Sequence, residues 1–357
     1  MNILMVVPRL NIGGAESYVA TIAMALQRLG ITVIVASGGG MLADSLKKQG
    51  IRHYHVPIRF SSTFAAWLLE KIVRRHQIDV IHANSAAAGV AAVKLKQRIN
   101  VPVVYTAHGV FGHNAEEMTL NQCDKIICVS EYVRHYALQK GFGENQLVTV
   151  YNGIDLHKFK LHANKATEIR EQLDIPENAF TVAIVARIKN LRNKGHADML
   201  HILERYGGAQ DWHVLVIGKG NGLWKLKYRI WKQKLGQRVH CLGHRVHVQD
   251  ILAGVDATVL PSNFETFGLV LLESMAMEKP VVTYAVGGTP EAVDHERTGF
   301  LVEKHNLDDL YQRLSMLADD KELRLSMGRQ GRQWVESHFD SNDMIKKLVD
   351  IYQDVKK

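Results

Sequence analysis

The sequence predicts an α/β protein made of two doubly wound parallel-sheet domains. Short runs rich in Val and Ile alternate with amphipathic stretches along most of the 357 residues. The runs are apolar throughout, which is typical of parallel strands covered by helices on both faces. The alternation stops over the polar segment 157–178 and then restarts, and a chain of this length suits two cores.

The first half predicts six strands separated by helices such as Ala15–Leu29, Phe64–Arg75 and Ala86–Gln97. The strands are Ile3–Val7, Thr32–Ala36, Asp79–His82, Val101–Thr106, Lys125–Val129 and Val148–Tyr151. The second half predicts six more, which are Thr181–Ala186, His213–Ile217, Val239–Leu242, Ala257–Leu260, Pro280–Tyr284 and Phe300–Val302. The remainder, Leu307–Lys357, shows helical patterns only.

These elements divide the chain into a first domain over 1–155, a linker over 156–178 and a second domain over 179–340. Residues 341–357 form a last helix, for which a return to the first domain is an open alternative. Open parallel sheets bind ligands at the carboxyl ends of their strands. We therefore expect the two domains to face each other across a cleft.

The composition, with 46% apolar and 22% charged residues, is that of a folded soluble protein. No apolar run is long enough to span a membrane, and Met1–Pro8 is typical of a first strand rather than a leader, so we expect a cytoplasmic protein. Three cysteines without metal-ligand spacing, and no tight histidine cluster, predict no metal site. A net charge of +8 favours an anionic partner: nucleic acid, anionic lipid or a phosphorylated substrate.

The most informative stretch places Glu265 after an apolar strand and Glu273 within an apolar helix. If all eight intervening steps were helical, the two residues would lie roughly 12 Å apart along the axis. The main-chain N–H groups of Phe267, Gly268 and Leu269 are expected to lie unpaired between them and to form an anion site. Two carboxylates around an anion site suit an elongated ligand with a central phosphate and hydroxyls at both ends, such as a nucleotide sugar.

Other candidate positions lie in segments that follow a predicted strand, where a ligand would bind. Glycines there let backbone approach a ligand, and cations there face anions. The alternative for each is an ordinary turn, a structural histidine or a solvated basic loop. These positions are Gly13, Gly14, His108, Arg187, Lys194 and Gly218.

Taken together, these motifs resemble those of GT-B-fold glycosyltransferases of the retaining family 4 type, also described as glycosyl transferases group 1. The resemblance extends from Asn11 to about Glu303. Its motifs are Gly13-Gly14-Ala15-Glu16, Thr106-Ala107-His108-Gly109, Asn152-Gly153-Ile154-Asp155, Arg187 with Lys194-Gly195, Gly218-x-Gly220, Glu265-x7-Glu273 and Gly287-Gly288-Thr289-Pro290-Glu291.

The resemblance implies a role for each candidate. The first domain would bind the acceptor and the second the nucleotide sugar, with catalytic roles for Glu265, His108, Arg187 and Lys194. The cations would hold the donor pyrophosphate and stabilise the leaving nucleotide, and His108 would contact the donor sugar. The sugar hydroxyls would bind to Glu265 and the ribose diol to Glu273. The rest of the implied donor site is Gly13, Gly14, Gly218, Thr266, Phe267, Gly268 and Leu269.

The sequence departs from the family pattern at two points. The interval between Arg187 and Lys194 is about two residues longer than the family pattern leads us to expect, so Lys189 or Arg192 is an alternative to Lys194. Thr266 replaces a glycine that is frequent in the family, which leaves the donor sugar open.

The implied reaction is a hexosyl transfer that retains anomeric configuration and needs neither metal nor cofactor. The donor is a UDP-sugar by family frequency, with a GDP-sugar as the alternative, and the acceptor a hydroxyl of a glycan or lipid-linked molecule of the cell envelope. A sugar-nucleotide epimerase with the same fold and a non-enzymatic basic scaffold are the competing interpretations. The basic residues look dispersed and match no recognition motif, so nucleic acid is not an expected partner.

Two basic segments bear on attachment to an anionic membrane at its inner face. One, Leu223–Leu235, combines aromatic residues and cations as interfacial helices do. Its Leu223, Leu226, Ile230 and Leu235 also nearly form the apolar stripe of an ordinary surface helix, which is the favoured interpretation. The other basic segment is Lys94–Arg98 in the first domain. Peripheral membrane attachment is therefore a hypothesis at this stage.

Overall fold

The computed structural model of the chain describes residues 1–11, 13–161, 163–206 and 211–357. It divides into two compact units, one formed by Met1–Gly153 with Asn342–Lys357 and the other by Ile154–Ser341. Each unit contains one parallel sheet with helices packed against it, as the sequence predicts. Within the described residues, no helix combines the length and the hydropathy needed to cross a membrane.

Residues 1–153 form seven strands and six helices, with two short 3₁₀ turns at Thr119–Gln122 and Glu144–Gln146. The strands are β1 (Asn2–Val6), β2 (Thr32–Ser37), β3 (Arg52–His55), β4 (Val80–Ala83), β5 (Val103–Ala107), β6 (Lys125–Cys128) and β7 (Leu147–Thr149). The helices are α1 (Gly14–Arg28), α2 (Met41–Lys48), α3 (Ser62–His76), α4 (Ala86–Lys96), α5 (Ala115–Met118) and α6 (Glu131–Gln139).

The second unit contributes six strands and eight described helices. The strands are β8 (Phe180–Val185), β9 (Trp212–Ile217), β10 (Val239–Gly243), β11 (Ala257–Leu260), β12 (Val281–Tyr284) and β13 (Gly299–Val302). The helices are α7 (Ala163–Gln172), α8 (His196–Tyr206), α9 (Leu223–Lys232), α10 (Val248–Ala253), α11 (Leu269–Ala276), α12 (Thr289–Ala292), α13 (Leu307–Asp319) and α14 (Lys321–His338). A last helix, α15 (Ser341–Lys356), belongs to the first unit from Asn342 onward.

The strand order is β3-β2-β1-β4-β5-β6-β7 in the first sheet and β10-β9-β8-β11-β12-β13 in the second. Every strand pair is parallel. In each sheet the order reverses once, between β1 and β4 and between β8 and β11. Open α/β sheets bind ligands at such a reversal, beyond the carboxyl ends of the strands. The loops after these four strands are therefore the places to look for a site.

Each predicted strand overlaps an observed one, and β3 is the strand that the sequence analysis missed. Its residues, Arg52–His55, are polar, and it lies at the edge of the first sheet. Edge strands are often short and charged, which protects them against pairing with other chains. Hydrophobic periodicity therefore gives no signal for this element.

The interval 156–178, predicted as a linker, contains α7, while residue 162 lies outside the described part of the chain. Arg170 of α7 donates to the Asp256 carboxylate at 2.7 Å and to the Gly254 and Ala179 carbonyls at 3.1 Å. These bonds fasten the helix to the second unit. The polar composition of this interval is therefore compatible with a helix that is held by charge and hydrogen bonds.

Candidate active site

The loop after β8 is fixed against the segment after β11 by a close backbone contact. Gly195 has φ +70°, and a Cβ added there would lie 2.1 Å from the Pro261 ring and 2.4 Å from the Pro261 carbonyl oxygen. The Asn263 N–H also donates to the Asn193 carbonyl at 3.0 Å. Only glycine accommodates both the backbone angle and the contact. Because of this docking, Lys194 is held next to the segment that carries Glu265.

The Glu265 carboxylate collects two side-chain donors at this point. Its Oε1 accepts hydrogen bonds from Lys194 Nζ and, at 2.8 Å, from Ser262 Oγ. The side chains are 13% exposed for Glu265 and 28% exposed for Lys194. The Glu265 carbonyl oxygen also accepts from the Gly288 N–H at 3.1 Å, which joins the Gly287-Gly288 turn to the same place. The structure thus brings together two of the sequence-predicted residues in a half-buried ion pair.

The remaining cations of the loop after β8 point to solvent. Arg187, Lys189 and Arg192 are exposed, and within the described part of the chain none of them belongs to an ion pair. Between Lys194 and its two alternatives, Lys194 is the residue that contacts Glu265. The Arg187 guanidinium, which has no carboxylate partner among the described residues, lies beyond the carboxyl end of β8, where an anion can approach it.

Gly218 has a structural reason for its lack of a side chain. It has φ +149°, and an added Cβ would lie 1.9 Å from the Ala186 carbonyl oxygen. Gly220 stands in the same relation to the Ile188 carbonyl oxygen, at 2.2 Å. The two glycines let the segment after β9 run against the segment that contains Arg187. This close approach accounts for the Gly218-x-Gly220 motif without a ligand.

Helix α11 begins at Leu269, later than a continuous helix from Glu265 would require. Gly268 is its N-cap residue with φ +91°, and residues 265–268 are not helical. The separation of roughly 12 Å given by the helical rise therefore does not apply to the two glutamates. Phe267 is buried with its ring edge-on to Phe339, so its side chain belongs to the core. In the first turn of α11 the Leu271 N–H donates to the Gly268 carbonyl oxygen at 2.8 Å, and Phe267 makes a further contact, so the N–H groups around this helix start are not all unpaired.

Glu273 lies one turn into α11 among apolar neighbours. Burial raises the pKa of its carboxyl to about 7, and the Lys158 ammonium opposes part of this rise. Among the described residues, no protein donor gives the Glu273 carboxylate a hydrogen bond. A half-buried carboxylate that lacks protein donors is costly in its charged form. Hydroxyl groups of a ligand would supply the missing donors.

In the first unit, His108 follows β5 and packs against residues from two neighbouring elements. Its Nε2 donates to Asn84 Oδ1 at 3.4 Å, and its ring meets that of Tyr18 edge-on with centroids 4.6 Å apart. Burial lowers the pKa of His108 to about 3, so the imidazole is neutral at physiological pH. A neutral imidazole suits a hydroxyl partner better than it suits a phosphate.

The two glycines after β1 begin helix α1. Gly13 is the N-cap residue in extended conformation, and Gly14 is the first helical residue. Ile12, which precedes them in the motif, lies outside the described residues. The start of a long helix beyond β1 at the reversal of strand order matches an anion-binding location.

Sequence reasoning missed three polar residues that the structure places beside predicted ones. Ser262 donates to Glu265, Asn84 accepts from His108, and Tyr18 packs on the His108 ring. A signal existed for Asn84, because it directly follows β4 at the reversal of strand order. No local pattern marks Tyr18, which lies one turn into an amphipathic helix.

Comparison with known proteins assigns both halves of the chain. The family model described as glycosyl transferases group 1 matches residues 165–334, and the model of glycosyltransferase family 4 matches residues 12–158. The chain belongs to the GT-B glycosyltransferases of this group. It is therefore an enzyme, which excludes the non-enzymatic scaffold. The epimerase interpretation finds no support.

Similar curated proteins and solved structures agree with this assignment. The chain is 28% identical over 300 residues to N-acetyl-alpha-D-glucosaminyl L-malate synthase of Bacillus anthracis, covering 80% of this transferase and 77% of the relative. It is 25% identical over 303 residues to the Escherichia coli UDP-Gal:alpha-D-GlcNAc-diphosphoundecaprenol alpha-1,3-galactosyltransferase, covering 80% and 78%. Anabaena HepE, crystallised with UDP-glucose, shares the fold with a TM-score of 0.89 at 22% identity, over 99% and 100% of the two chains.

Proposed function

We propose that this enzyme is a retaining hexosyltransferase that moves a sugar from a UDP-sugar to a hydroxyl of a glycan or lipid-linked acceptor of the cell envelope. The observation that carries the proposal is the ion pair of Lys194 with Glu265, supported by Ser262, at the reversal of strand order in the second sheet. A cation and a carboxylate side by side suit a donor in which a pyrophosphate adjoins a sugar. GDP-sugars are the alternative donors.

In this proposal Lys194 and Arg187 bind the donor pyrophosphate. As the bond between the anomeric carbon and the phosphate oxygen breaks, negative charge grows on the nucleotide diphosphate, and fixed cations stabilise it. Arg187 is available because it is exposed and unpaired among the described residues. The N–H groups at the start of α11 add a partial positive charge, with Gly268 letting the backbone approach the phosphates.

The two glutamates bind opposite ends of the donor. Glu265, held in place by Lys194 and Ser262, accepts hydrogen bonds from hydroxyls of the sugar. Glu273 accepts from the ribose diol, which supplies the donors that its carboxylate lacks. The neutral His108 of the first unit contacts the sugar, and Gly13 and Gly14 let the loop after β1 approach the donor and the acceptor. Gly218, Thr266, Phe267 and Leu269 complete the proposed donor site.

The proposed reaction takes place on one face of the sugar. The acceptor hydroxyl oxygen forms a bond to the anomeric carbon as the bond to UDP breaks, and the acceptor proton passes to an oxygen of the donor phosphate. Configuration is retained because the acceptor enters on the side from which UDP leaves. No protein carboxylate is proposed as a base, and neither is a metal ion or another cofactor.

The proposed nucleotide and the proposed acceptor are supported by the names of similar proteins. UDP stands in the names of the Escherichia coli enzyme and of the Anabaena complex. A diphosphoundecaprenol-linked acceptor stands in the name of the first and supports a lipid-linked acceptor here. Such an acceptor fits a cytoplasmic enzyme held peripherally at the inner face of a membrane. Thr266, next to Glu265, bears on which sugar is accepted.

A screen of UDP- and GDP-sugars for slow hydrolysis without acceptor tests the donor. We expect one UDP-sugar to release UDP, the released sugar to keep its anomeric configuration when followed at early times by NMR, and chelator to leave the rate unchanged. Release from a GDP-sugar alone would replace the donor assignment. An inverted product or a loss of rate with chelator would contradict the mechanism.

A further inference from the structure

The net charge of the protein is concentrated in one stretch of the second unit. Residues 212–249 hold eight of the 44 Lys and Arg residues and none of the 36 Asp and Glu residues. The rest of the chain is therefore balanced, and the whole excess of +8 comes from this stretch. This distribution corrects the expectation that the basic residues are dispersed. Helix α9 carries the centre of the stretch.

Helix α9 has one buried side and one exposed side. Leu226 and Ile230 are buried in the core of the second unit, as the predicted apolar stripe requires. On the opposite side Trp224, Tyr228 and Trp231 recur at helical spacing and are 66%, 55% and 74% exposed. Single exposed hydrophobic side chains are common on protein surfaces. Three large aromatic side chains in one exposed row instead form a contiguous apolar patch, which is typical of an interaction site. We call this row, with Lys225, Lys227, Arg229 and Lys232 beside it, the α9 outer face.

The cations of the α9 outer face differ from those of the other basic segment in their ion pairing. Within the described part of the chain, none of its four cations belongs to an ion pair. The other basic segment behaves differently: Lys94, Lys96 and Arg98 pair with Glu116, Asp124 and Glu70. A structural role thus accounts for the segment in the first unit and not for α9.

A hollow of about 590 Å³ adjoins the α9 outer face. One wall is the segment Asn190–Arg192 and the other is formed by Trp224, Tyr228 and the stems of neighbouring cations. The surface therefore offers apolar space next to ammonium and guanidinium groups. The loop that forms one wall continues directly to Lys194.

We propose that the α9 outer face binds the interface of a membrane containing anionic lipids. The aromatic rings occupy the headgroup region, where tryptophan and tyrosine are favoured, and the cations contact lipid phosphates. A soluble polyanion would satisfy the cations alone. Two exposed tryptophans and an apolar hollow favour a partner that also has an apolar layer. Membrane attachment would bring the enzyme close to the proposed lipid-linked acceptor, but the binding itself does not depend on that function.

The test is flotation of the full chain with vesicles of phosphatidylcholine alone and of phosphatidylcholine with 30% phosphatidylglycerol. We expect salt-sensitive binding to the anionic vesicles only. The double variant Lys225→Gln with Lys232→Gln should weaken binding to the anionic vesicles roughly thirtyfold. The reason is that each basic side chain near an anionic surface adds a similar favourable amount to the binding free energy. Trp224→Ala with Trp231→Ala should weaken it at least about tenfold.

Matched controls decide between this face and other surfaces. Trp67 and Lys71 of α3 form another exposed aromatic–cation pair, with Lys71 Nζ 3.4 Å from the ring centroid, so Trp67→Ala with Lys71→Gln should bind vesicles like wild type. Vesicle binding that survives both α9 double variants, or is lost in the α3 variant, would overturn the proposal. Binding to heparin without binding to vesicles would assign the face to a polyanion instead and also overturn it.

Turnover separates this inference from the proposed reaction. Hydrolysis of the UDP-sugar by the α9 double variants should equal that of wild type, because these residues lie outside the proposed donor site. Loss of vesicle binding with normal hydrolysis supports the docking face. Vesicle binding by a wild-type protein that turns over no nucleotide sugar would leave the docking face intact and remove the proposed function.

Discussion

At the scale of single residues, the Lys194–Glu265 pair is the centre of the proposed donor site. Each group neutralises the other, and Ser262 supplies a further donor to the same carboxylate oxygen. Both side chains keep some exposure, so a ligand can reach them.

Replacement of Glu265 by Ala should abolish transfer with the fold retained. We expect kcat/KM to fall by at least about a hundredfold, as for the loss of one preorganised polar contact to the transition state, and Lys194→Ala to behave alike. Steady-state kinetics with circular dichroism checks this. Glu322→Ala, at an exposed position in the first turn of α14, is the matched control and should keep full activity. Near-normal turnover by folded Glu265→Ala would refute the site assignment.

Replacement of Glu273 by Gln should change how stability depends on pH. Because burial raises the folded-state pKa of Glu273 from 4.5 to about 7, the native state holds this proton more tightly than the unfolded state. Stability is unaffected below about pH 4.5 and falls as pH rises towards 7, where ionisation is penalised. Without ligand, Glu273→Gln should therefore be more stable than wild type by on the order of 3 kcal/mol at pH 8 and equally stable near pH 4.5.

Urea unfolding of the second unit across this pH range measures the difference. A matched variant is Glu204→Gln, on the exposed side of α8, which should leave the pH profile unchanged. Equal stability of wild type and Glu273→Gln at pH 8 would contradict the prediction, because it would mean that other interactions compensate for the burial of the ionised carboxylate.

At the scale of elements, the docking of the loop after β8 on Pro261 determines where Lys194 lies. Gly195→Ala should disrupt it, because the added Cβ meets the Pro261 ring and carbonyl and the backbone angle of +70° is unfavourable for alanine. We expect a loss of about 1–3 kcal/mol in the free energy of unfolding and a larger loss in kcat/KM. Gly236→Ala, where an added Cβ meets nothing within 4 Å, is the control.

The strands are easier to predict from the sequence than the contact of Gly195 with Pro261 that places Lys194 beside Glu265. Strands such as β1 and β11 are predictable because they are continuous apolar runs, whereas β3 is polar and gives no such signal. Glu265 and Lys194 are recognisable from the sequence because each is a charged residue in a segment that follows a predicted strand. Their pairing depends on a glycine meeting a proline 66 residues away, and no periodicity encodes such a contact.

At the scale of the whole molecule, the last residues of the chain belong to the unit that contains the first ones. Helix α15 packs Met344, Ile345, Leu348 and Tyr352 into the core formed by β1, α1 and their neighbours. Residues 342–357 are thus integral to the first unit. Folding of that unit must include the chain's end, although the second unit is formed by residues between.

Tyr352 links α15 to the sheet through a fully buried polar contact. Its hydroxyl lies 2.6 Å from His82 Nδ1, and His82 Nε2 lies 2.6 Å from Thr106 Oγ1, two residues before His108. Burial lowers the pKa of His82 to about 3, so the imidazole stays neutral and one ring nitrogen accepts while the other donates. With Thr106 and Tyr352 on its two sides, each ring nitrogen has a partner.

Tyr352→Ala should therefore destabilise the first unit by about 3–5 kcal/mol, because it removes a buried aromatic ring and leaves His82 without one partner. Tyr352→Phe keeps the ring and should cost about 1–2 kcal/mol. Hydrogen exchange followed by mass spectrometry is the decisive measurement, since it reports the two units separately. Faster exchange is expected in β1, α1 and β4, with β8 and β11 protected as in wild type. Equal acceleration in both sheets would mean that the units do not unfold independently, and unchanged exchange in the first would contradict the role of α15 in its core.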